Sequence, residues 1–240
     1  VAEAPAAKAA GASPADMLRA AMQPGAKPTV SLEPEPRPAP APETVADLPP
    51  STDLGDLGWD ELTSGVAACR ACELAQSRTQ TVFGVGNPDA ELMIVGEAPG
   101  ADEDRLGEPF VGRSGQLLNA MLAAIGLSRE QVYITNIIKC RAPQNRDPRP
   151  DEVAACRGYL DGQIAALNPQ VICPIGRPAT QTLLDPQASI GKVHGRPFER
   201  DGILYVPVYH PAACLHNPNL RSTVVADFEK LKGLLDQHLE

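Results

Sequence analysis

The stretch Leu92-Met93-Ile94-Val95-Gly96-Glu97-Ala98-Pro99-Gly100 decides the fold. Its short, continuous apolar run suits a strand buried on both faces, and glycines in the turn that follows let the backbone approach a ligand closely. Similar runs recur at 132–135, 171–175 and 204–208. Helical patterns separate them: 115–125, with Leu117, Leu118, Met121 and Leu122 on one side, then 151–167 and 177–184. This alternation predicts an α/β domain with a parallel sheet and helices on both faces. Ligands of such sheets bind beyond the carboxyl ends of the strands, which here carry residues 96–100, Asn136, Gly176 and His210. A last pattern at 224–239 aligns Phe228, Leu231 and Leu235 and predicts a packing helix.

Upstream the composition changes. Residues 1–50 hold 14 Ala and 11 Pro and no Phe, Tyr or Trp. Such a segment has nothing to build a core from, so residues 1–61 are expected to form a disordered tail with a short helix around 16–22. Ala-Pro alternation at 33–42 cannot sustain a helix and should act as a semi-stiff spacer. Residues 62–240 are then the folded domain.

The net charge is −9, of which −6 falls at or before Val66. The folded part lacks a broad basic footprint, which argues against tight non-specific DNA binding. Arg141, Arg146, Arg149 and Arg157 form a local exception, to be read either as a phosphate-facing surface or as a solvated basic loop. No apolar stretch approaches the ~20 residues that span a bilayer, and no charged region followed by an apolar core opens the chain. A cytoplasmic protein without membrane contact, acting as a monomer, is expected.

Four of the six cysteines are spaced Cys69-x2-Cys72 and, 67 residues on, Cys140-x15-Cys156. Without a secretion signal, such cysteines favour metal ligation over disulfides. Four thiolates suit zinc or an iron–sulfur cluster. The 15-residue interval departs from the paired knuckles of a zinc ribbon and favours a [4Fe–4S] cluster. Cys173 lies within an apolar strand and reads as packing. Cys214 is left without a role.

Glu97 stands at a strand end inside a glycine turn, where an acid is more often functional than structural. Asp102, Glu103 and Asp104 follow, each as well explained by flanking a helix. The turn is not a Walker loop and Gly-x-Gly-x-x-Gly is absent, which disfavours nucleotide hydrolysis and dinucleotide binding. Phe110, in a Gly/Pro-rich loop, reads as core or as a platform for a planar ligand. His210 ends the last strand run at the same sheet edge.

Together, Val82-Phe83-Gly84-Val85-Gly86-Asn87-Pro88, Val95 to Gly100, Pro109-Phe110-Val111-Gly112-Arg113-Ser114-Gly115-Gln116-Leu117-Leu118-Asn119, Thr135-Asn136-Ile137-Ile138-Lys139-Cys140 and Tyr209-His210-Pro211-Ala212-Ala213 closely resemble the family 4 uracil-DNA glycosylases, the iron–sulfur type. The resemblance implies a three-layer α/β/α sandwich around a four-stranded parallel sheet. It implies a structural [4Fe–4S] cluster on Cys69, Cys72, Cys140 and Cys156, and chemistry that needs no cofactor. Uracil would stack on Phe110, pair with Asn136, touch Gly96 and Ala98, and receive a hydrogen bond at O2 from His210. Glu97 and Glu103 carry over as candidate acids, with the choice between them open. The implied activity is hydrolysis of the N-glycosidic bond of uracil flipped from single- or double-stranded DNA, leaving an abasic site.

Leu215 or Leu220 would wedge into the duplex and Arg221 would meet a phosphate. A related branch traps uracil-DNA covalently through a histidine between the third and fourth cysteines. Residues 141–155 contain no His, so turnover is expected. An iron–sulfur electron carrier and a non-catalytic DNA-binding module are the competing classes. The tail is read as a spacer, with a protein partner for it unknown.

Overall fold

The computed structural model describes residues 54–238, so the expected tail as far as residue 53, with its short helix, lies outside the described residues. In chain order the elements are α1 (Trp59–Ala68), β1 (Val85–Gly86), β2 (Leu92–Gly96), α2 (Ala101–Leu106), α3 (Arg113–Ala124), β3 (Tyr133–Asn136), α4 (Pro150–Leu167), β4 (Val171–Pro174), α5 (Arg177–Leu183), α6 (Ile190–Val193), β5 (Phe198–Arg200), β6 (Ile203–Tyr205), α7 (Pro211–His216) and α8 (Arg221–His238).

The strands form one sheet in the order β1-β3-β2-β4-β6-β5. The expected four-stranded parallel core is β3-β2-β4-β6. It is extended at each edge by a short antiparallel strand that the sequence reading did not include. At one edge the reason is local: Asp201 and Gly202, both at positive φ (52° and 78°), close a two-residue hairpin between β5 and β6. Asp-Gly is the residue pair that such a turn favours. At the other edge β1 is two residues long, too short for alternation to reveal.

Side chains alternate across the sheet as a strand dictates. Ile94, Ile134, Cys173 and Val206 pack with Leu118 and Met121 of α3 and with Phe228 and Leu231 of α8. Met93, Val95, Tyr133 and Ile172 face the other way, onto Leu160 and Leu167 of α4 and Leu183 of α5. The result is an α/β/α sandwich whose two cores are separated by the sheet. Packing extends upstream to Leu54, which joins Leu62, Val66 and Tyr159 in a smaller cluster under α1. Among the described residues no helix is long and apolar enough to cross a membrane.

Candidate functional site

Gly96 is the last residue of β2 and lies beside Asn136, the last residue of β3, in the parallel register. The pairing continues past both strands, with Ile137 N–H donating to the Gly96 carbonyl (2.9 Å) and Ile138 N–H to that of Glu97 (3.3 Å). This ladder holds the Glu97 turn next to Asn136. A Cβ at Gly96 would collide with Asn136 Oδ1 and stand 2.6 Å from Phe110 Cζ, so only glycine lets this aromatic ring and amide meet over the strand end. The Phe110 and His210 rings stack at 5.8 Å between centroids and 30° between planes. Gly96, Phe110, Asn136 and His210 therefore converge from four segments. Ala98 packs instead toward the α4 and α5 face.

The Phe110 loop is held in an unfavourable shape. Phe110 has φ +53°, a region that a non-glycine residue enters at a cost of roughly 1–3 kcal/mol. Glu103 accepts from Val111 N–H (3.0 Å) and Gly112 N–H (2.9 Å) with Oε1, and from Gly100 N–H (3.1 Å) with Oε2. Both carboxylate oxygens are thus committed to backbone donors, which ties the 97–100 turn to the aromatic loop. On the carbonyl side, Arg129 donates to Pro109 O (2.7 Å) and Phe110 O (3.1 Å). A side chain at Gly115 would strike the Phe110 carbonyl, so the first turn of α3 comes up directly against it.

His210 caps α7, and its Nδ1 accepts the Ala212 N–H at 3.1 Å. An Nδ1 that accepts leaves the single proton of a neutral imidazole on Nε2. Burial pushes His210 down to about 4, against the opposing effect of the Glu103 charge, so the ring is neutral at pH 7. It is placed to act as an uncharged donor. Burial also raises Glu97 above the usual carboxylate range, with Asp147 adding to the rise and Arg177 opposing it. Unlike Glu103, the Glu97 carboxylate has no hydrogen bond or ion pair among the described residues.

On the other side of the sheet, Cys69, Cys72, Cys140 and Cys156 line one cavity together with Arg78, Lys139 and Tyr159. Cys69 caps the end of α1, Cys72 begins the 3-10 turn Glu73–Gln76, Cys140 follows β3, and Cys156 lies on α4. None forms a disulfide. Burial raises the thiols of Cys72 and Cys140 and pushes Cys156 up to about 12. Two cations offset this: Arg78 donates to Cys140 Sγ (3.2 Å), and Lys139, 2% exposed, stands nearby with its ammonium on Thr135 Oγ1 (2.6 Å) and Asn136 O (2.8 Å). Among the described residues no group of three or more His, Cys, Asp or Glu side chains is placed to hold a single metal ion.

The four arginines of the basic segment all have side-chain partners within the chain. Arg146 grips the buried Glu152 with two bonds (2.8 and 2.6 Å), Arg149 reaches Glu73, Arg157 pairs with Asp161, and Arg141 binds Asn145. Glu152 also accepts the Arg149 N–H (2.8 Å), so this cluster starts α4 and thereby places Cys156. Leu215 and Leu220 are partly buried against the α3/α8 core and flank an exposed stretch, 216–219. Arg221 opens α8 with a buried Nε that has no hydrogen-bond partner among the described residues. Sequence reasoning gave no role to Arg129, Arg78 or Lys139. Lys139 did carry a signal, a lone cation next to the apolar pair Ile137-Ile138, whereas Arg129 sits in an ordinary charged loop.

The description "Uracil DNA glycosylase superfamily" matches residues 83–232. The chain is 47% identical over 183 residues to the type-4 uracil-DNA glycosylase of Archaeoglobus fulgidus, covering 73% of this chain and 92% of that one. It is 46% identical over 184 residues to its counterpart in Sulfurisphaera tokodaii (73% and 84%), and 45% identical over 185 residues to that in Saccharolobus solfataricus (73% and 86%). The chain belongs to the uracil-DNA glycosylase superfamily and, within it, to the type-4 uracil-DNA glycosylases.

Proposed function

We propose that this chain is a monofunctional DNA repair glycosylase that hydrolyses the N-glycosidic bond of uracil flipped from DNA, releasing the base and leaving an abasic site. The observation that carries this reading is the meeting of Gly96, Phe110, Asn136 and His210 at the strand ends, with His210 Nε2–H free to donate. Extruding a nucleotide costs a few kcal/mol, recovered by stacking and edge hydrogen bonds. Phe110 supplies the stacking face, and the Asn136 amide pairs with the uracil edge. Breaking the C1′–N1 bond builds negative charge on uracil, which His210 stabilises through O2, a contribution of roughly 3–4 kcal/mol for one well-placed donor.

Glu97 is the acid that orients water and favours the sugar cation, because its carboxylate is uncommitted. Glu103 holds the aromatic loop instead. Leu215 and Leu220 are the candidate wedges and Arg221 the phosphate contact. The protein acts as a cytoplasmic monomer on single- or double-stranded DNA, with its tail as a spacer.

The donor set on the other face fits a [4Fe–4S] cluster. Four thiols line one cavity, and the cations Arg78 and Lys139 beside them would balance the negative charge that a cluster with four thiolates carries. Cys69, Cys72, Cys140 and Cys156 would hold it, and it would supply cross-linking of α1, α4 and the segment after β3, not chemistry on the base.

The test is incubation with an end-labelled oligonucleotide carrying one uracil, followed by alkali. Uracil-dependent strand scission without an SDS-stable protein–DNA adduct is expected, since residues 141–155 lack histidine. Intact DNA from folded protein would support the non-catalytic module, and an adduct would place the chain with the covalent branch.

A further inference from the structure

The cost of the Phe110 conformation must be met by contacts that hold it, and the hydrogen bonds on its carbonyl side come from Arg129. Arg129 lies between α3 and β3 and is half-buried. It makes no ion pair among the described residues: its hydrogen bonds go to Pro109 O, Phe110 O and Asn119 Oδ1 (2.7, 3.1 and 3.1 Å). Glu108, Glu130 and Glu103 offset part of the cost of withdrawing this guanidinium from water, but its hydrogen bonds are all spent on neutral oxygens. Here the two carbonyls belong to the strained residue and its predecessor, while Glu103 binds the next two N–H groups. The four residues 109–112 are thus gripped in order by one cation and one anion from different segments.

We infer that Arg129 is a positioning residue for base recognition: by holding the Pro109 and Phe110 carbonyls it keeps the Phe110 ring aimed over Gly96, where the base is received. The inference rests on the uracil-excision reading and adds to it a residue that does not touch the substrate. The planar fork suits the task, because its two terminal nitrogens donate to successive carbonyls while Nη1 also donates to Asn119 Oδ1, anchoring the loop to α3. The base-stacking face is set from outside the pocket.

The test is a double-mutant cycle in the full chain, with Arg129→Met, Arg129→Lys, Phe110→Leu and the Met/Leu double variant, read by steady-state kinetics on a uracil oligonucleotide and by inhibition with free uracil. Arg129→Met is expected to lower kcat/KM about tenfold, about 1.4 kcal/mol, chiefly through KM. Free uracil should inhibit it correspondingly less well. Arg129→Lys should recover part of the loss, because an ammonium satisfies one carbonyl. In the Phe110→Leu background, removing Arg129 should cost less than about twofold, because the ring it positions is gone. Where Arg129→Met does not fold, Arg129→Lys carries the same cycle. Equal losses in both backgrounds, or unchanged KM and uracil inhibition, overturn the inference. Wild-type protein that releases no uracil removes the excision reading itself, whereas release with additive losses removes only the role of Arg129.

Discussion

The proposed base site and the cysteine cavity lie on opposite faces of one sheet and are built by different means. Phe110 packs with the α3/α8 core, while Cys140, Cys72 and Cys156 adjoin the α4/α5 core. At the proposed base site, backbone groups and glycines hold a few side chains at a cost: Phe110 at positive φ, a half-buried neutral His210, and a half-buried Glu97. At the cavity, four side chains of one chemical type converge from two helix positions and two loops with no backbone strain at any of them. The contrast separates two tasks. A recognition site gains from strain and desolvation, which sharpen its donors and exclude water, whereas a cross-link gains from joining distant segments.

The strongest test of this division is Cys156→Ser. If the cavity holds a cluster, the variant should lose visible absorbance and several kcal/mol of stability, a Tm drop of roughly 10–20 °C at this chain size. An unchanged spectrum and Tm would make the cavity ordinary core. Next comes His210→Ala, expected to lower kcat by about 10²–10³-fold with absorbance intact and Tm lower by only a few degrees, because the α7 cap is lost. Glu97→Gln and Glu103→Gln divide the acids: the first should reduce kcat, and the second should raise KM by loosening the Phe110 loop. Single-turnover rates at saturating substrate would distinguish them, and a kcat loss confined to Glu103→Gln would reverse the assignment.

A smaller effect concerns pH. His210 has a folded value of about 4 against an ordinary 6.5, so between these values the unfolded chain binds more protons. Its contribution to stability is complete above about pH 6.5 and is lost as pH falls toward 4. Glu97 is raised, so the acid limb of the rate profile should lie above the usual glutamate range. His210→Gln should flatten the stability profile in that window, and Glu97→Gln should abolish the acid limb. The smallest effect is expected from Leu215→Ala, which should slow excision from duplex more than from single strands. Equal slowing on both would exclude Leu215 as the wedge.

Much of the scaffold was legible because it follows from local pattern. The runs at 92–96 and 171–174, and the helices that begin at Arg113, Pro150 and Arg177, follow from apolar periodicity and from punctuation by Gly and Pro. The edge strands escaped because one is two residues long and the other depends on the Asp201-Gly202 turn. The meeting of Gly96 with Asn136 could be read from their place at strand ends, since topology brings those ends together. What could not be read was division of labour. Glu97 and Glu103 look alike in sequence, and only the direction of α2 turns one toward backbone donors and leaves the other without them. Arg129 was illegible for the same reason: its partners are carbonyl groups, present at every residue and marked by no side chain.

The most direct measurement compares His210→Ala and Cys156→Ser side by side for uracil release and for thermal unfolding. The account predicts a crossed pattern, with His210→Ala losing rate for a Tm drop of only a few degrees, and Cys156→Ser losing far more unfolding temperature while retaining turnover at temperatures where it remains folded. If Cys156→Ser, still folded, loses the chemical step as fully as His210→Ala does, the separation of the two faces is wrong.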